Sequence, residues 1–151
     1  MSNDVKLQDV TAQNWRAVVN LRLADDQQRL LASNVYSIAQ SKFDPDAHPR
    51  AICAGETVVG FLMYDVPELD DEEQAAAIYR FMIDREHQGK GYGRAALTQA
   101  IEEIGQIPGI RKISISYVRN NARAKKFYAS FGFVEIDGQA DDYELCAEMV
   151  L

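Results

Sequence analysis

The sequence predicts an α/β (α+β) fold in a single domain that spans residues 1–151. Two observations indicate this class: a buried-strand pattern at 77–83 leads through a glycine-rich turn into a helix pattern, and a second strand-to-helix sequence begins at 113. A third observation bounds the size, because 151 residues are enough for one domain with a substantial core. We therefore expect strands and helices to alternate around a common core.

The first forty residues are expected to form a strand and two helices. Val5 and Leu7 alternate with polar residues, which predicts the strand. Thr11 is the expected cap of the first helix, in which Trp15 recurs with valines and leucines at helical spacing and is expected to lie in the core. A second helix is predicted over residues 27–40, where aliphatic residues form one face.

The next segment is predicted to be a loop followed by a hairpin. Residues 42–50 contain two prolines and several polar residues, which favours a loop. Gly55-Glu56 is the expected hairpin turn, and 58–64 is apolar on both faces, as in a central strand. Residues 65–73 then carry six acidic side chains. This acidic loop is either a solubilising surface loop or a rim that attracts cations.

The second half of the chain continues the alternation. The aromatic and β-branched run at 77–83 predicts a buried strand, and Pro108-Gly109 is expected to end the helix that follows it. Alternating residues at 113–118 predict another strand, and 121–131 is expected to be a helix. The last two strands are expected at 133–136 and 143–150.

The turn after the strand at 77–83 reads Gln88-Gly89-Lys90-Gly91-Tyr92-Gly93. Glycines let the backbone turn tightly and approach a ligand closely, because no Cβ intervenes. The N–H groups at the start of the following helix lack partners within the helix and lie at its positive dipole end, so they can hold phosphate. Lys90 and Arg94 add positive charge. The turn is therefore predicted to bind a diphosphate.

Three phosphate-binding motifs can be compared with this turn by their spacing. A P-loop needs Ser or Thr after Gly-Lys, but Gly91 follows Lys90 here. A dinucleotide-binding fold places its turn in the first βαβ unit, with an acidic residue about 20 residues further on. This turn lies past mid-chain, and Pro108-Gly109 stands at that distance. The pattern Gln88-x-x-Gly91-x-Gly93 instead resembles the pyrophosphate-binding loop of the GNAT superfamily of acetyl-CoA-dependent N-acetyltransferases.

A second motif in residues 121–133 carries the same resemblance. It reads Asn, two residues, Ala, two residues, an apolar residue, Tyr, and then Gly-Phe after three more residues. This is similar to the second signature of the family, in the expected order and after a strand. The resemblance implies a mixed, mostly antiparallel sheet of about six or seven strands flanked by about four helices, whose splayed central strands bind acetyl-CoA.

The resemblance also implies roles for individual residues. Backbone groups of 81–83 would contact the pantetheine arm, and an N–H there would polarise the acetyl carbonyl. Tyr128 matches the family tyrosine near the sulfur, and its phenol, with an ordinary pKa of about 10, can donate a proton to the departing thiolate. The implied acetyl-CoA contacts are Phe81, Met82, Ile83, Gln88, Gly89, Lys90, Gly91, Tyr92, Gly93, Arg94, Asn121 and Lys125.

Looser features resemble the bacterial spermidine/spermine (diamine) acetyltransferases. The segments that carry this likeness are 21–28, 33–39, 59–64, 80–84 and 87–91. They imply that the acceptor is a primary amine of a small cationic molecule, with a polyamine favoured. The residues expected to contact the acceptor are Asp25, Gln28, Tyr36, Asp65 and Tyr79.

The general base is not evident from the motifs. Members of the family often carry a glutamate on the strand before the glycine-rich turn, but residues 78–83 contain no carboxylate. Glu68, in the acidic loop, is the predicted base and would act through water. Asp65 or Asp70 acting through water, or direct loss of the proton to bulk solvent, are the alternatives. Two alternatives stay open: an acetyltransferase for an aminoglycoside, amino acid or protein amine, and an acyl-CoA-binding sensor without turnover.

The composition and charge of the chain indicate which classes of partner it binds and where in the cell it is expected to lie. The net charge of −7 argues against nucleic acid and suits a cationic small molecule. No apolar run approaches a membrane span, and the N-terminus lacks the basic and apolar regions of a signal peptide. Cys53 and Cys146 lack metal-ligand spacing, so we expect free thiols, no metal and a cytoplasmic location. A homodimer is compatible with the resemblance, because many relatives dimerise.

Overall fold

One mixed sheet forms the centre of the computed structural model, which describes residues 4–23, 33–67, 74–136 and 144–151. The seven strands of these ranges lie in the order β1-β2-β3-β4-β5-β7-β6, and every neighbouring pair is antiparallel except β4 and β5. The predicted fold class is therefore confirmed. The strands are β1 (Val5–Asp9), β2 (Ala47–Ala54), β3 (Thr57–Asp65), β4 (Ala75–Ile83), β5 (Lys112–Val118), β6 (Val134–Glu135) and β7 (Glu144–Val150).

Four α-helices and one short 3-10 helix flank the sheet in the described ranges. Ser33 has an extended backbone and caps the second helix, its hydroxyl accepting the Tyr36 N–H, so this helix begins at Asn34 within the described residues. Within the described ranges, no helix combines the length and apolar character that crossing a membrane requires. The helices are α1 (Trp15–Val19), α2 (Asn34–Ser41), the 3-10 helix (Arg85–His87), α3 (Tyr92–Gly105) and α4 (Ala122–Ala129).

Three expectations about the first fifty residues were wrong. The residue at the cap position of α1 is Asn14 and not Thr11. The segment 42–50 is not a loop throughout, because β2 begins at Ala47 and includes Pro49. Pro49 pairs with β3 but lies beyond the end of β1, and a proline is tolerated where a strand has a neighbour on one side only. Trp15 is 41% exposed and not in the core. Since α1 has only five residues, Val18 alone is fully buried on it, and the Arg16 guanidinium covers the indole ring instead.

The core lies on both faces of the sheet. Alternate residues of β3 point to opposite faces, so Leu62 packs in one buried cluster and Phe61 in the other. The first cluster includes Leu97 and Ile104 of α3, and the second includes Val18 of α1. The glycine of β3 lets this strand approach β4, because a Cβ on Gly60 would lie 2.5 Å from a carbonyl oxygen of β4. The positions of β3 and β4 are therefore set by the packing on both faces of the sheet and by their close approach at Gly60.

The sheet opens between β4 and β5. Their parallel pairing ends at Ile78 opposite Ile115. Beyond this point β4 stays paired with β3 and β5 stays paired with β7, so the C-terminal halves of β4 and β5 separate. The pairing of β3 with β4 skips Tyr79, which places a β-bulge where the strands part. The fold thus presents unpaired strand edges to a gap.

Candidate active site

A cleft of about 820 Å³ occupies the gap between β4 and β5. It is bounded by the glycine-rich turn at the start of α3 and by one face of α4. Of the predicted acetyl-CoA contacts, ten line it: Phe81, Met82, Ile83, Gln88, Gly89, Gly91, Tyr92, Gly93, Arg94 and Asn121. Lys90 and Lys125 do not line it, and the Lys125 ammonium instead lies 3.2 Å from a carboxylate oxygen of Glu135.

The glycine-rich turn has the backbone geometry that its sequence predicts. Gly89 and Gly91 have φ angles of 78° and 85°, in the left-handed region that favours glycine. Nothing lies within 4 Å of the position that a Cβ would take at either residue. The Gln88 side chain donates to the Ile83 carbonyl at 3.0 Å and fixes the turn against the end of β4. This open cradle at a helix N-terminus fits the diphosphate of acetyl-CoA.

Arg94 joins the start of α3 to α4. Its guanidinium lies 4.7 Å from the centroid of the Phe131 ring and 5.6 Å from that of Phe127. It also donates to the Ser130 hydroxyl at 2.8 Å. The Arg94 side chain therefore supports the cradle from behind, packed on α4, while its positive charge stays at the edge of the cleft.

Asn121 and Tyr128 are placed by the same helix. The Asn121 side chain caps α4 by accepting the Ala124 N–H at 3.0 Å. Tyr128 follows two turns later and lines the cleft, with its ring stacked on Tyr117 at 5.5 Å between centroids. Burial, and to a lesser extent the neighbouring Tyr117, raises the pKa of the Tyr128 phenol above its ordinary value. This hydroxyl therefore stays protonated at neutral pH and can act as a proton donor.

The predicted acceptor contacts are not all brought to the cleft. Asp25, Gln28 and the predicted base Glu68 lie outside the described residues. Tyr79 lines the cleft. Asp65 and Tyr36 do not line it, and Tyr36 is 60% exposed on α2.

Tyr79 and Asp65 influence each other at the bulge in β4. The Tyr79 hydroxyl and one carboxylate oxygen of Asp65 are buried. Burial raises the pKa of Asp65, and the charges of Asp44 and Asp46 contribute to the increase. Burial also raises the pKa of Tyr79, and the Asp65 carboxylate adds to it. Tyr79 therefore remains a neutral phenol at physiological pH.

The cleft is also lined by three charged residues that the sequence analysis did not assign to the site: Arg80, Arg123 and Glu144. Arg80 of β4 donates through Nε to the Ser37 hydroxyl at 3.0 Å and through a terminal nitrogen to the Tyr79 carbonyl at 2.9 Å. Glu144, the first residue of β7, is the only carboxylate among the described residues that line the cleft. No local motif marks it, because only its pairing opposite Val118 of β5 brings it there.

The chain matches the acetyltransferase (GNAT) family over residues 15–133, which is most of its length. It therefore belongs to this family, and the predicted resemblance is confirmed. The protein is an acetyl-CoA-dependent N-acetyltransferase, and the cleft between β4 and β5, with its glycine cradle, fits acetyl-CoA as co-substrate.

A relative with a similar sequence carries the name of an acetyltransferase, and solved structures share the fold. The spermine/spermidine N(1)-acetyltransferase of Bacillus subtilis (strain 168) is 28% identical over 140 residues, which is 91% of each chain. The spermidine N-acetyltransferase of Vibrio cholerae, solved with CoA and spermine, has a TM-score of 0.77 at 18% identity, covering 97% of this chain and 95% of the other. PaiA N-acetyltransferase of Thermoplasma acidophilum, solved with coenzyme A, has a TM-score of 0.72 at 16% identity, covering 97% and 99%.

Proposed function

We propose that this enzyme transfers the acetyl group of acetyl-CoA directly to a primary amine of a polyamine such as spermidine or spermine. The observation that carries the acceptor class is the likeness to a spermine/spermidine N(1)-acetyltransferase over 91% of both chains. The Glu144 carboxylate in the cleft and the net charge of −7 support a cationic acceptor. A cytoplasmic location and a homodimer stay predictions.

The chain's own groups have separable roles in this transfer. The unpaired edge of β4 from Phe81 to Ile83 holds the pantetheine arm, and an N–H there donates a hydrogen bond to the acetyl oxygen, on which negative charge develops. The N–H groups of 88–94 hold the diphosphate. The nitrogen of the neutral amine forms a bond to the acetyl carbon, the carbon–sulfur bond breaks, and Tyr128 gives its proton to the thiolate. The proton that the nitrogen loses as the amide forms then restores the phenol of Tyr128.

The acceptor must lose one proton before it attacks, because a primary ammonium has a pKa of about 10. β4 carries no carboxylate for this task. Glu68 remains our proposed base, acting through water from the acidic loop. Transfer is direct and needs no acyl-enzyme, so no cysteine or serine nucleophile is invoked.

One observation favours a second acceptor class. Arg80 places a positive charge in the cleft, next to the bulge at Tyr79. A guanidinium attracts a carboxylate, so an amino acid could present its amine while Arg80 holds its carboxylate. The two candidate acceptors differ in their second charged group: a polyamine carries a further ammonium, whereas an amino acid carries a carboxylate.

Release of thiol from acetyl-CoA with a panel of amines separates these candidates. We expect saturable turnover with spermidine and spermine, less with putrescine, and none with lysine or an aminoglycoside. Turnover confined to lysine would replace the polyamine with the amino acid. Turnover with another amine alone would support acetyl transfer but would reject both the polyamine and the amino acid as acceptors.

Glu144→Gln is expected to raise KM for spermine about two- to fivefold and to leave kcat unchanged, because an exposed ion pair contributes little more than this. The loss should shrink at high salt, where the pair is screened. Glu148→Gln is the matched control, since Glu148 lies on the same strand, pairs with Lys112 and does not line the cleft. An equal effect in both variants, or none in Glu144→Gln, would contradict a role of Glu144 in binding the acceptor.

A further inference from the structure

Asp84, between β4 and the 3-10 helix, is a buried carboxylate that the transfer reaction does not use. One of its oxygens accepts the Arg22 backbone N–H at 2.7 Å. The other lies 3.3 Å from the Glu86 backbone nitrogen and 3.2 Å from His87 Nδ1. Burial alone would raise the pKa of Asp84, but these hydrogen bonds outweigh it and lower the pKa. Asp84 is therefore an anion held by partners from two distant parts of the chain.

A second hydrogen bond closes the link between these parts. The Arg85 N–H donates to the Arg22 carbonyl at 2.6 Å, so the backbone of Arg22 is held in both directions. The Asp84 N–H donates to the Val59 carbonyl of β3 at 2.8 Å, which anchors the link to the sheet. A residue that only capped the 3-10 helix would not need the contact to Arg22, which is 62 residues away in sequence.

Each of the two linked parts carries a residue that lines the cleft. Leu23, next to Arg22, lines the cleft and packs with the cluster of Val18 and Phe61, away from α3. His87, held by Asp84, lines the cleft beside the glycine-rich turn, with its ring 6.3 Å from that of Tyr92. The glycine-rich turn is therefore joined to the cleft wall at Leu23 by the Asp84 carboxylate and by the backbone hydrogen bond from Arg85 to Arg22.

We propose that Asp84 is a positioning residue that couples the acetyl-CoA turn to the cleft wall at Arg22 and Leu23, so that co-substrate binding prepares the acceptor side. The coupling is reciprocal, as binding equilibria require, so an acceptor held at this wall also tightens binding of the co-substrate. This proposal depends on the family reaction and is the same for any amine.

Hydrogen exchange with CoA as the probe tests this proposal without an acceptor. In the wild-type protein, CoA should slow exchange at 88–94 and also at the amides of Arg22 and Leu23. In Asp84→Ala, slowing at 88–94 should persist while slowing at Arg22 and Leu23 is lost. Glu86→Gln is the matched control, because it removes an exposed carboxylate of the same short helix and should leave both effects intact.

Steady-state kinetics supply a second readout. Asp84→Ala should raise KM for the amine about tenfold, the usual weight of a hydrogen bond to a charged group, and should raise KM for acetyl-CoA at saturating amine by a similar factor, because the coupling is reciprocal. Asp84→Asn keeps an oxygen acceptor for Arg22, so it should recover part of the coupling, and it replaces the alanine variant if that variant does not fold. The proposal would be overturned if CoA did not change the exchange rates at Arg22 and Leu23 in the wild-type protein. It would also be overturned if CoA slowed exchange there equally in Asp84→Ala. A protein that turns over no polyamine would leave this exchange result unaffected.

Discussion

Tyr128→Phe is expected to lower kcat by about 10²- to 10³-fold while KM for acetyl-CoA changes by less than about twofold. The phenylalanine keeps the ring contacts with Tyr117 and Phe133, so the packing of α4 survives and only the proton donor is lost. An ordinary phenol has a pKa of about 10. Because burial raises the pKa of Tyr128 above this value, the wild-type donor should keep its proton beyond pH 10. Thiol release as a function of pH measures both effects.

Tyr64→Phe is the control for this variant. The Tyr64 hydroxyl donates to a Glu103 carboxylate and does not line the cleft between β4 and β5, so its loss should affect stability and not kcat. If Tyr128→Phe retained kcat within about threefold of the wild-type value, water or another group would have to protonate the thiolate, and the role of general acid would be withdrawn.

Gly91→Val is expected to raise the dissociation constant of CoA about five- to thirtyfold, which is roughly 1–2 kcal/mol, because the left-handed conformation is unfavourable for a residue with a Cβ. Gly91 has a φ of 85° at the cap position of α3, and valine would shift the turn that we propose holds the diphosphate. Titration calorimetry with CoA measures the loss directly.

The matched control for Gly91→Val is Gly105→Ala at the other end of α3. Gly105 has no positive φ, and nothing lies within 4 Å of its Cβ position, so alanine should be tolerated and CoA binding unchanged. Unchanged CoA affinity in Gly91→Val would mean that the diphosphate is bound elsewhere than at this turn.

The parts of the site that the sequence predicted are the local ones. The turn at 88–93 could be predicted because its glycines and the flanking strand and helix are contiguous, and their geometry follows from backbone sterics. The strand at 77–83 was predicted for the same reason, since its β-branched and aromatic residues are typical of a buried strand. Trp15 was misplaced because helical spacing does not reveal that α1 ends after five residues.

The amino-acid sequence by itself determined the fold class, the family and the glycine-rich turn, because each was read from local motifs and patterns whose own residues lie within about fifteen positions of one another. Tertiary structure alone decided what stands around that turn. Glu144 reaches the cleft only because β7 pairs with β5, and Asp84 reaches Arg22 only because β4 lies beside the segment after α1. Such contacts depend on strand order and on where β4 and β5 part, which arise from the packing of the whole sheet and leave no periodic signal in the sequence.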